Sequence, residues 1–119
     1  MFVAAISLMV TTLDNCLDNY QKNSMFKWSV KISREVSKSI KTLPEEILAA
    51  LYTLIREMQI DGPYRNNWKN YGKFKGCRNI FHCHINSGRP RYVACWEIMD
   101  KKEKRVEVYY VGTHEKAPY

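Results

Sequence analysis

The alternation of hydrophobic and polar positions predicts a strand near the start of the regular part of the chain. Across residues 26–33, Trp28, Val30 and Ile32 alternate with polar neighbours. A period of two is typical of a half-buried strand. Residues 33–41 then predict a short helix, because Val36 and Ile40 lie four residues apart.

A longer amphipathic helix follows, with recognisable signals at both ends. Thr42 offers an N-cap, Pro44 an early proline and Glu45 an acid in the first turn. Residues 61–63, Asp-Gly-Pro, end the helix. Between these signals the apolar residues recur at helical spacing, which indicates one face packed in the core: Ile47, Leu48, Leu51, Leu54, Ile55 and Met58.

The second half of the chain predicts strands separated by turns. After a loop at residues 64–71, strands are expected at residues 79–85, 91–98 and 106–111, the last of them rich in β-branched and aromatic residues. Gly112 is expected to end the last strand, before a short polar tail. A strand, two helices and a three-stranded antiparallel meander predict an α+β fold, with the helices packed on one face of the sheet.

The length of 119 residues favours one domain, and the content of 45% hydrophobic and 26% charged residues is that of ordinary globular proteins. Residues 1–24 are expected to be an accessory extension, or to derive from an upstream start. Their uncharged stretch through Leu13 is too short to span a bilayer, and no basic segment precedes it as in a signal peptide. We therefore expect a cytoplasmic protein with no membrane association, whose domain covers residues 25–119. Export is the less favoured alternative.

Positive charge is concentrated in one segment. The net charge is +7, and residues 1–25 contribute −1, so residues 26–119 carry +8. Residues 62–96 contain no acid, and aromatic residues interleave with their bases. This composition is typical of single-stranded nucleic-acid binding, although a solvated basic face over an aromatic core is the alternative. The bases are Arg65, Lys69, Lys73, Lys75, Arg78, Arg89 and Arg91.

The cysteines and two of the histidines give no metal-site pattern. Cys16, Cys77, Cys83 and Cys95 show no paired C-x-x-C spacing, and we expect them to be reduced. On a strand, Cys83 would point away from its neighbours His82 and His84, so no metal or other cofactor is expected. The two histidines would share one face. They either join an RNA-binding site there or pack as hydrogen-bonded residues under the helices, with a supporting role favoured.

Three motifs, in this order, resemble the RelE/ParE superfamily of bacterial toxin–antitoxin toxins. Residues 73–76, Lys-Phe-Lys-Gly, are similar to the K-L-x-G element of that family. Residues 91–94, Arg-Tyr-Val-Ala, are similar to its Y-R-L-V-Y strand, and residues 110–116 are similar to its V-G-x-R/H-x-x tail. The resemblance covers residues 26–119 and implies the RelE/ParE fold.

The resemblance implies a metal-free endoribonuclease that cleaves mRNA in the ribosomal A site. In that reaction, the 2′-OH of one nucleotide attacks the adjacent phosphate and expels the 5′-oxygen of the next. His114 would transfer protons, and Arg91 would bind the scissile phosphate. Lys73 and Lys75 would add positive charge, and Tyr119 would stack on a base or assist proton transfer. The RNA-binding candidates are Arg65, Lys69, Arg78, Arg89, His82 and His84.

The same resemblance implies a cognate antitoxin as protein partner, and contacts with ribosomal RNA as well as mRNA. Two other functions stay open. The ParE branch shares the fold but inhibits DNA gyrase without nuclease chemistry. A non-catalytic RNA-binding or ribosome-binding module would also suit the positive charge.

Overall fold

The computed structural model describes residues 26–119, so the predicted extension at residues 1–24 lies outside the described residues. The first helix, α1, spans Arg34–Ser39. The side chain of Ser33 caps it by accepting a hydrogen bond from Val36 N at 3.1 Å. A single 3-10 turn, Ile40–Thr42, continues from its end. The predicted short helix is therefore present.

The long helix, α2, spans Glu45–Asp61. The expectation that Thr42 caps it is wrong. Thr42 belongs to the preceding 3-10 turn, and its hydroxyl donates back to Ser39 O at 3.1 Å. Pro44 takes the N-cap position, and its carbonyl accepts the bonds that begin α2. The helix ends as predicted at Gly62, whose φ of 101° lies in the left-handed region that favours glycine.

The strands form one five-stranded sheet in the order β1-β5-β4-β3-β2. β1 runs parallel to β5, and the other neighbouring pairs are antiparallel. The predicted meander is therefore β3-β4-β5, while β2 is an addition that the sequence pattern did not indicate. The strands are β1 (Ser29–Ile32), β2 (Gly72–Lys73), β3 (Ile80–His84), β4 (Tyr92–Asp100) and β5 (Arg105–Thr113).

The expectation that Gly112 ends the last strand is also wrong. Gly112 pairs with Val93 of β4, and β5 continues through Thr113. A register shift opposite Cys95 and Trp96 leaves Tyr109 as the extra residue of a β-bulge. The bulge interrupts the alternation, so Val108 and Val111, three residues apart, both reach the core.

The core lies between the two helices and one face of the sheet, as the predicted α+β fold requires. Phe81, Trp96 and Val108 are fully buried there against the apolar face of α2. Three free cysteines lie in the described part of the chain: Cys77 is exposed, whereas Cys83 and Cys95 are buried. No helix within residues 26–119 has the length and hydrophobicity needed to cross a membrane.

Candidate active site

The two histidines of β3 lie on the face of the sheet that the helices leave uncovered. Phe81 and Cys83 of the same strand are completely buried in the core. Because side chains alternate along a strand, His82 and His84 lie on the opposite face. The structure therefore places both histidines together, as expected, and neither packs beneath the helices.

A cleft of about 290 Å³ opens beside His84, where β4 begins and β5 ends. We call it the first cleft. Two predicted site residues from distant parts of the sequence, Arg91 and His114, meet there because β4 and β5 are antiparallel. Its lining consists of His84, Arg89, Pro90, Arg91, Thr113, His114 and Glu115.

The sheet positions His114 directly through its backbone. Tyr92 pairs with Thr113, and one step further His114 N donates a hydrogen bond to Arg91 O at 2.7 Å. A 3-10 turn, His114–Lys116, begins at this point, and the imidazole is exposed to solvent. His114 is therefore fixed beside Arg91 while its ring stays accessible to a substrate.

His84 forms the buried wall of the first cleft. Its ring meets the ring of His114 edge-on, with 5.3 Å between centroids, and only 8% of the residue is exposed. Burial lowers the pKa of His84, and the charges of His114, Arg91 and His82 lower it further. Asn70 Nδ2 lies 3.1 Å from its Nδ1 and 3.2 Å from its Nε2. Since an amide N–H only donates, the nitrogen that it bonds must be unprotonated, so this contact also favours the neutral ring.

Arg91 lines the first cleft and also a second cleft, which is described below. In the described part of the chain its side chain makes one hydrogen bond, a long one from Nη2 to Ser87 O at 3.4 Å. Within residues 26–119 it has no carboxylate within ion-pair distance, and neither has Arg89. Two unpaired guanidinium groups at one cleft are well suited to bind a phosphate, because their N–H groups match its oxygens.

A second cleft of about 300 Å³ lies on the other side of His84 and Arg91, which line both clefts. Lys69 enters it from the loop that follows α2 and donates a hydrogen bond to Ser87 Oγ. The backbone of the same loop is bonded to β3, because His84 N donates to Lys69 O at 2.8 Å. The lining residues are Lys69, Asn70, His84, Asn86, Ser87 and Arg91.

Tyr119 folds back over the open face of the sheet and covers His82. The two rings are stacked with centroids 4.3 Å apart, and the ring of Phe74 meets Tyr119 edge-on at 5.2 Å. His114 also lies edge-on to Tyr119, at 6.0 Å. Burial raises the pKa of Tyr119 to about 12, with smaller contributions from Cys95, Cys83 and Tyr110. The phenol is therefore protonated near neutral pH and can stack or donate a hydrogen bond.

Burial lowers the pKa of His82, and the charge of His114 adds to this effect. Its Nδ1 is buried and has no hydrogen-bond partner among residues 26–119. His82 lies next to the first cleft without lining it. It supports Tyr119, which in turn contacts His114.

Four predicted site residues lie away from both clefts. Lys73 is opposite Phe81 in the sheet register, and its Nζ lies 6.0 Å from the centre of that ring, so it shares the face of Phe81 rather than that of His82. Lys75 and Arg78 are exposed in the loop between β2 and β3. Arg65 is held in an ion pair with Glu57 at 3.0 Å. Their assigned roles stay predictions.

Several residues that line the clefts were not singled out from the sequence. Asn86 and Ser87 fall in a turn that was predicted, but the turn pattern carries no information about a cleft. Glu115 adjoins His114, which is the only signal that pointed to it. Asn70 approaches His84 from a loop 14 residues earlier, and no periodicity reveals such a contact. Within residues 26–119 there is no group of three or more His, Cys, Asp or Glu side chains placed to hold a metal ion.

The comparison with known structures bears on the fold. A chain in the crystal structure of the archaeal RelE–RelB complex from Pyrococcus horikoshii OT3 is similar to this protein, with a TM-score of 0.60. The similarity covers 76% of this chain and 98% of the archaeal one, at 15% sequence identity. The chain has a RelE-like fold. No protein-family model matches the sequence, and no curated protein matches it either.

The RelE-like fold confirms the architecture that the sequence motifs implied. At this level of identity the similarity concerns the fold alone, so the chemistry has to be argued from the clefts themselves. The first cleft combines two guanidinium groups, an exposed imidazole and a buried neutral imidazole. Such a set can bind a phosphate and move protons on either side of it.

Proposed function

We propose that this protein is the toxin of a toxin–antitoxin system and an endoribonuclease that cleaves mRNA on the ribosome. The observation that carries the proposal is the meeting of His84, Arg91 and His114 around one cleft on a RelE-like fold. Residues 25–119 form the toxin domain in this proposal, and residues 1–24 are an extension to it.

In the proposed reaction, the scissile phosphate lies against Arg91 and Arg89. The 2′-oxygen attacks phosphorus, the bond from phosphorus to the 5′-oxygen breaks, and the products are a 2′,3′-cyclic phosphate and a free 5′-OH. Negative charge on the phosphoryl oxygens grows during the attack. The two guanidinium groups stabilise that charge because neither forms an ion pair with a carboxylate of residues 26–119.

Two proton transfers accompany the attack, and the cleft holds two imidazoles to perform them. His84 is kept neutral by burial and by its cationic neighbours, so its unprotonated nitrogen can accept the proton of the 2′-OH. In this proposal the 2′-OH takes the place of the Asn70 amide at that nitrogen. His114 is exposed and lines the same cleft, so its ring N–H is placed to protonate the leaving 5′-oxygen. This assignment follows the rule that paired groups in different environments take opposite roles.

The other predicted residues act outside the first cleft. Tyr119 stacks on a base of the mRNA, in continuation of its stacking on His82. Lys73, Lys75 and Arg78 add positive charge along the flank of the molecule. They attract ribosomal RNA, and the net charge of +8 on residues 26–119 acts in the same direction.

The proposed protein partner is an antitoxin with an acidic segment. The archaeal chain of similar fold comes from a RelE–RelB complex. A basic domain with unpaired arginines in an open cleft would be inhibited by a carboxylate-bearing segment laid across them. Ribosome-bound mRNA as substrate places the activity in the cytoplasm.

Primer extension on an mRNA in a purified bacterial translation system tests the proposal. Wild-type protein is expected to produce cuts that require ribosomes and follow the reading frame. His114→Ala is expected to lower the cutting rate by about 10²–10⁴, the usual contribution of one acid–base group. Lys102→Ala, which removes one positive charge from the turn at the far end of β4, is the matched control and should cut normally.

Absence of cuts with translation running would overturn the proposal and favour the ParE-like inhibitor, for which a gyrase supercoiling assay is the next measurement. Stalled translation without cuts would overturn the nuclease chemistry and favour the non-catalytic ribosome-binding module.

A further inference from the structure

The second cleft has a chemistry of its own that the proposed reaction does not use. Its lining offers an ammonium group from Lys69, amides from Asn70 and Asn86 and a hydroxyl from Ser87. Among residues 26–119 no carboxylate lines it, whereas Glu115 lines the first cleft. Amides and hydroxyls beside a cation match the base, sugar and phosphate of a nucleotide.

The position of the second cleft relates it to the first. His84 and Arg91 line both clefts, so the two clefts adjoin at these residues. A chain with one phosphate on Arg91 in the first cleft can therefore extend its next unit into the second cleft, beside Lys69. A polymer with regularly spaced phosphates is suited to use both sides of Arg91 in this way. The substrate proposed above, a ribonucleotide chain, is such a polymer.

The loop that builds the second cleft is fixed in place by α2. Glu57 Oε1 accepts three hydrogen bonds from this loop: from Arg65 Nη1 at 3.0 Å, from Asn67 Nδ2 at 3.1 Å and from Trp68 Nε1 at 2.8 Å. Burial on its own raises the pKa of Glu57, but the three hydrogen bonds and the charge of Arg65 hold it below its ordinary value. The carboxylate therefore stays ionised and holds the loop near neutral pH.

Asn70 is the residue of this loop best placed to read a nucleotide. Its φ of 51° is left-handed, a conformation that asparagine adopts more readily than most other residues. Its Nδ2 contacts His84, and its Oδ1 accepts no hydrogen bond from residues 26–119. One amide oxygen and one amide N–H are therefore available for the edge of a base.

We propose that the second cleft binds the nucleotide next to the scissile phosphate, with Lys69 on its backbone and Asn70 on the edge of its base. Asn70 thereby determines which nucleotides flank the cut. The proposal rests on the proposed endoribonuclease function and adds a specificity subsite to it.

The test maps cut sites by sequencing the 5′ ends of mRNA fragments from the same translation system. Asn70→Gly removes the amide and keeps the left-handed backbone. It also removes the contact of Asn70 with His84, so the overall cutting rate is expected to fall, and the readout is the distribution of the cuts that remain. Among these, the preference for the favoured flanking nucleotide is expected to drop by about tenfold, the discrimination that one paired contact to a base edge supplies. Asn70→Asp keeps the shape of the side chain and places a negative charge beside the phosphate. It is therefore also expected to raise the concentration of mRNA at which cutting saturates.

Asn66→Ala is the matched control, since Asn66 is an exposed asparagine of the same loop outside both clefts. It should leave the distribution of cuts unchanged. A wild-type distribution of cuts from Asn70→Gly, at whatever overall rate, would overturn the subsite while leaving the endoribonuclease intact. If the wild-type protein makes no ribosome-dependent cuts, the proposed function fails, and the subsite fails with it. Thermal unfolding of each variant identifies any loss of cutting that is due to misfolding.

Discussion

Gly112→Ala should destabilise the protein through a single contact. A Cβ at Gly112 would lie 2.7 Å from Tyr110 Oη and 3.0 Å from its Cζ. Tyr110 is held in that place because its hydroxyl donates a hydrogen bond to Thr113 O at 2.8 Å. The new methyl group therefore forces the ring aside and breaks this bond, one residue before His114.

The size of the effect follows from these contacts. The lost hydrogen bond costs about 0.5–1.5 kcal/mol, and overpacking costs about 1–3 kcal/mol. Alanine recovers roughly 0.5–1 kcal/mol of backbone entropy relative to glycine. The net loss is about 2 kcal/mol in the free energy of unfolding, which lowers the Tm by about 8 °C for a domain of this size. Urea unfolding followed by circular dichroism measures the free energy of unfolding.

Tyr110→Phe measures the contribution of the Tyr110 hydroxyl separately from the crowding of its ring by the new methyl group. Alone it should cost about 1 kcal/mol, the value of the hydrogen bond. It also removes the oxygen that makes the shortest contact, so the double variant should cost at least about 1 kcal/mol less than the sum of the two single ones. A neutral or stabilising Gly112→Ala, or strict additivity in the double variant, would refute the reasoning.

Three further predictions follow from the site. Glu57→Ala leaves three donors of the loop that follows α2 without their acceptor, so it should lower the free energy of unfolding by about 2 kcal/mol. Glu46→Ala, at an exposed position of the same helix, is the control and should change it by less than about 0.5 kcal/mol. Urea unfolding measures both. Burial lowers the pKa of His84 below its ordinary value of 6.5, so the unfolded chain binds more protons than the folded one. The free energy of unfolding should therefore fall as the pH drops below about 7. His84→Gln should show a smaller fall between pH 7.5 and pH 5.5, and an equal or larger fall would contradict the direction of the pKa shift. Iodoacetamide should label the exposed Cys77 in the native protein. It should spare Cys83 and Cys95, which are buried and whose pKa values burial raises to about 12. Peptide mass spectrometry measures the labelling, and equal labelling of the three thiols would contradict the packing of Cys83 and Cys95.

The sequence indicated the elements with a strong period and missed those without one. The six apolar positions of α2 and the alternation across residues 26–33, which contain β1, predicted these elements correctly. The two-residue strand β2 is too short to show any period. The bulge at Tyr109 shifts the alternation by one residue, and a glycine that pairs with Val93 looks in sequence like one that ends a strand.

The sequence located the charged and titratable residues but could not say which of them meet. Arg65 and Arg91 look equivalent in the basic segment. In the structure Glu57 holds Arg65 in an ion pair, while Arg91 opens onto two clefts. His84 approaches His114 only because three antiparallel strands bring residues 30 positions apart to one edge. Such contacts depend on register and on side-chain partners, which composition and periodicity do not specify.

The most direct test of the central claim uses an mRNA with one 2′-deoxynucleotide on the 5′ side of a mapped cut. The account predicts that wild-type protein cuts the all-ribose mRNA at that codon, leaving a 2′,3′-cyclic phosphate and a 5′-OH, and leaves the deoxy-substituted codon uncut on ribosomes. Cutting of the deoxy-substituted codon, or no ribosome-dependent cutting of either mRNA, would contradict 2′-OH attack at the cleft of His84, Arg91 and His114.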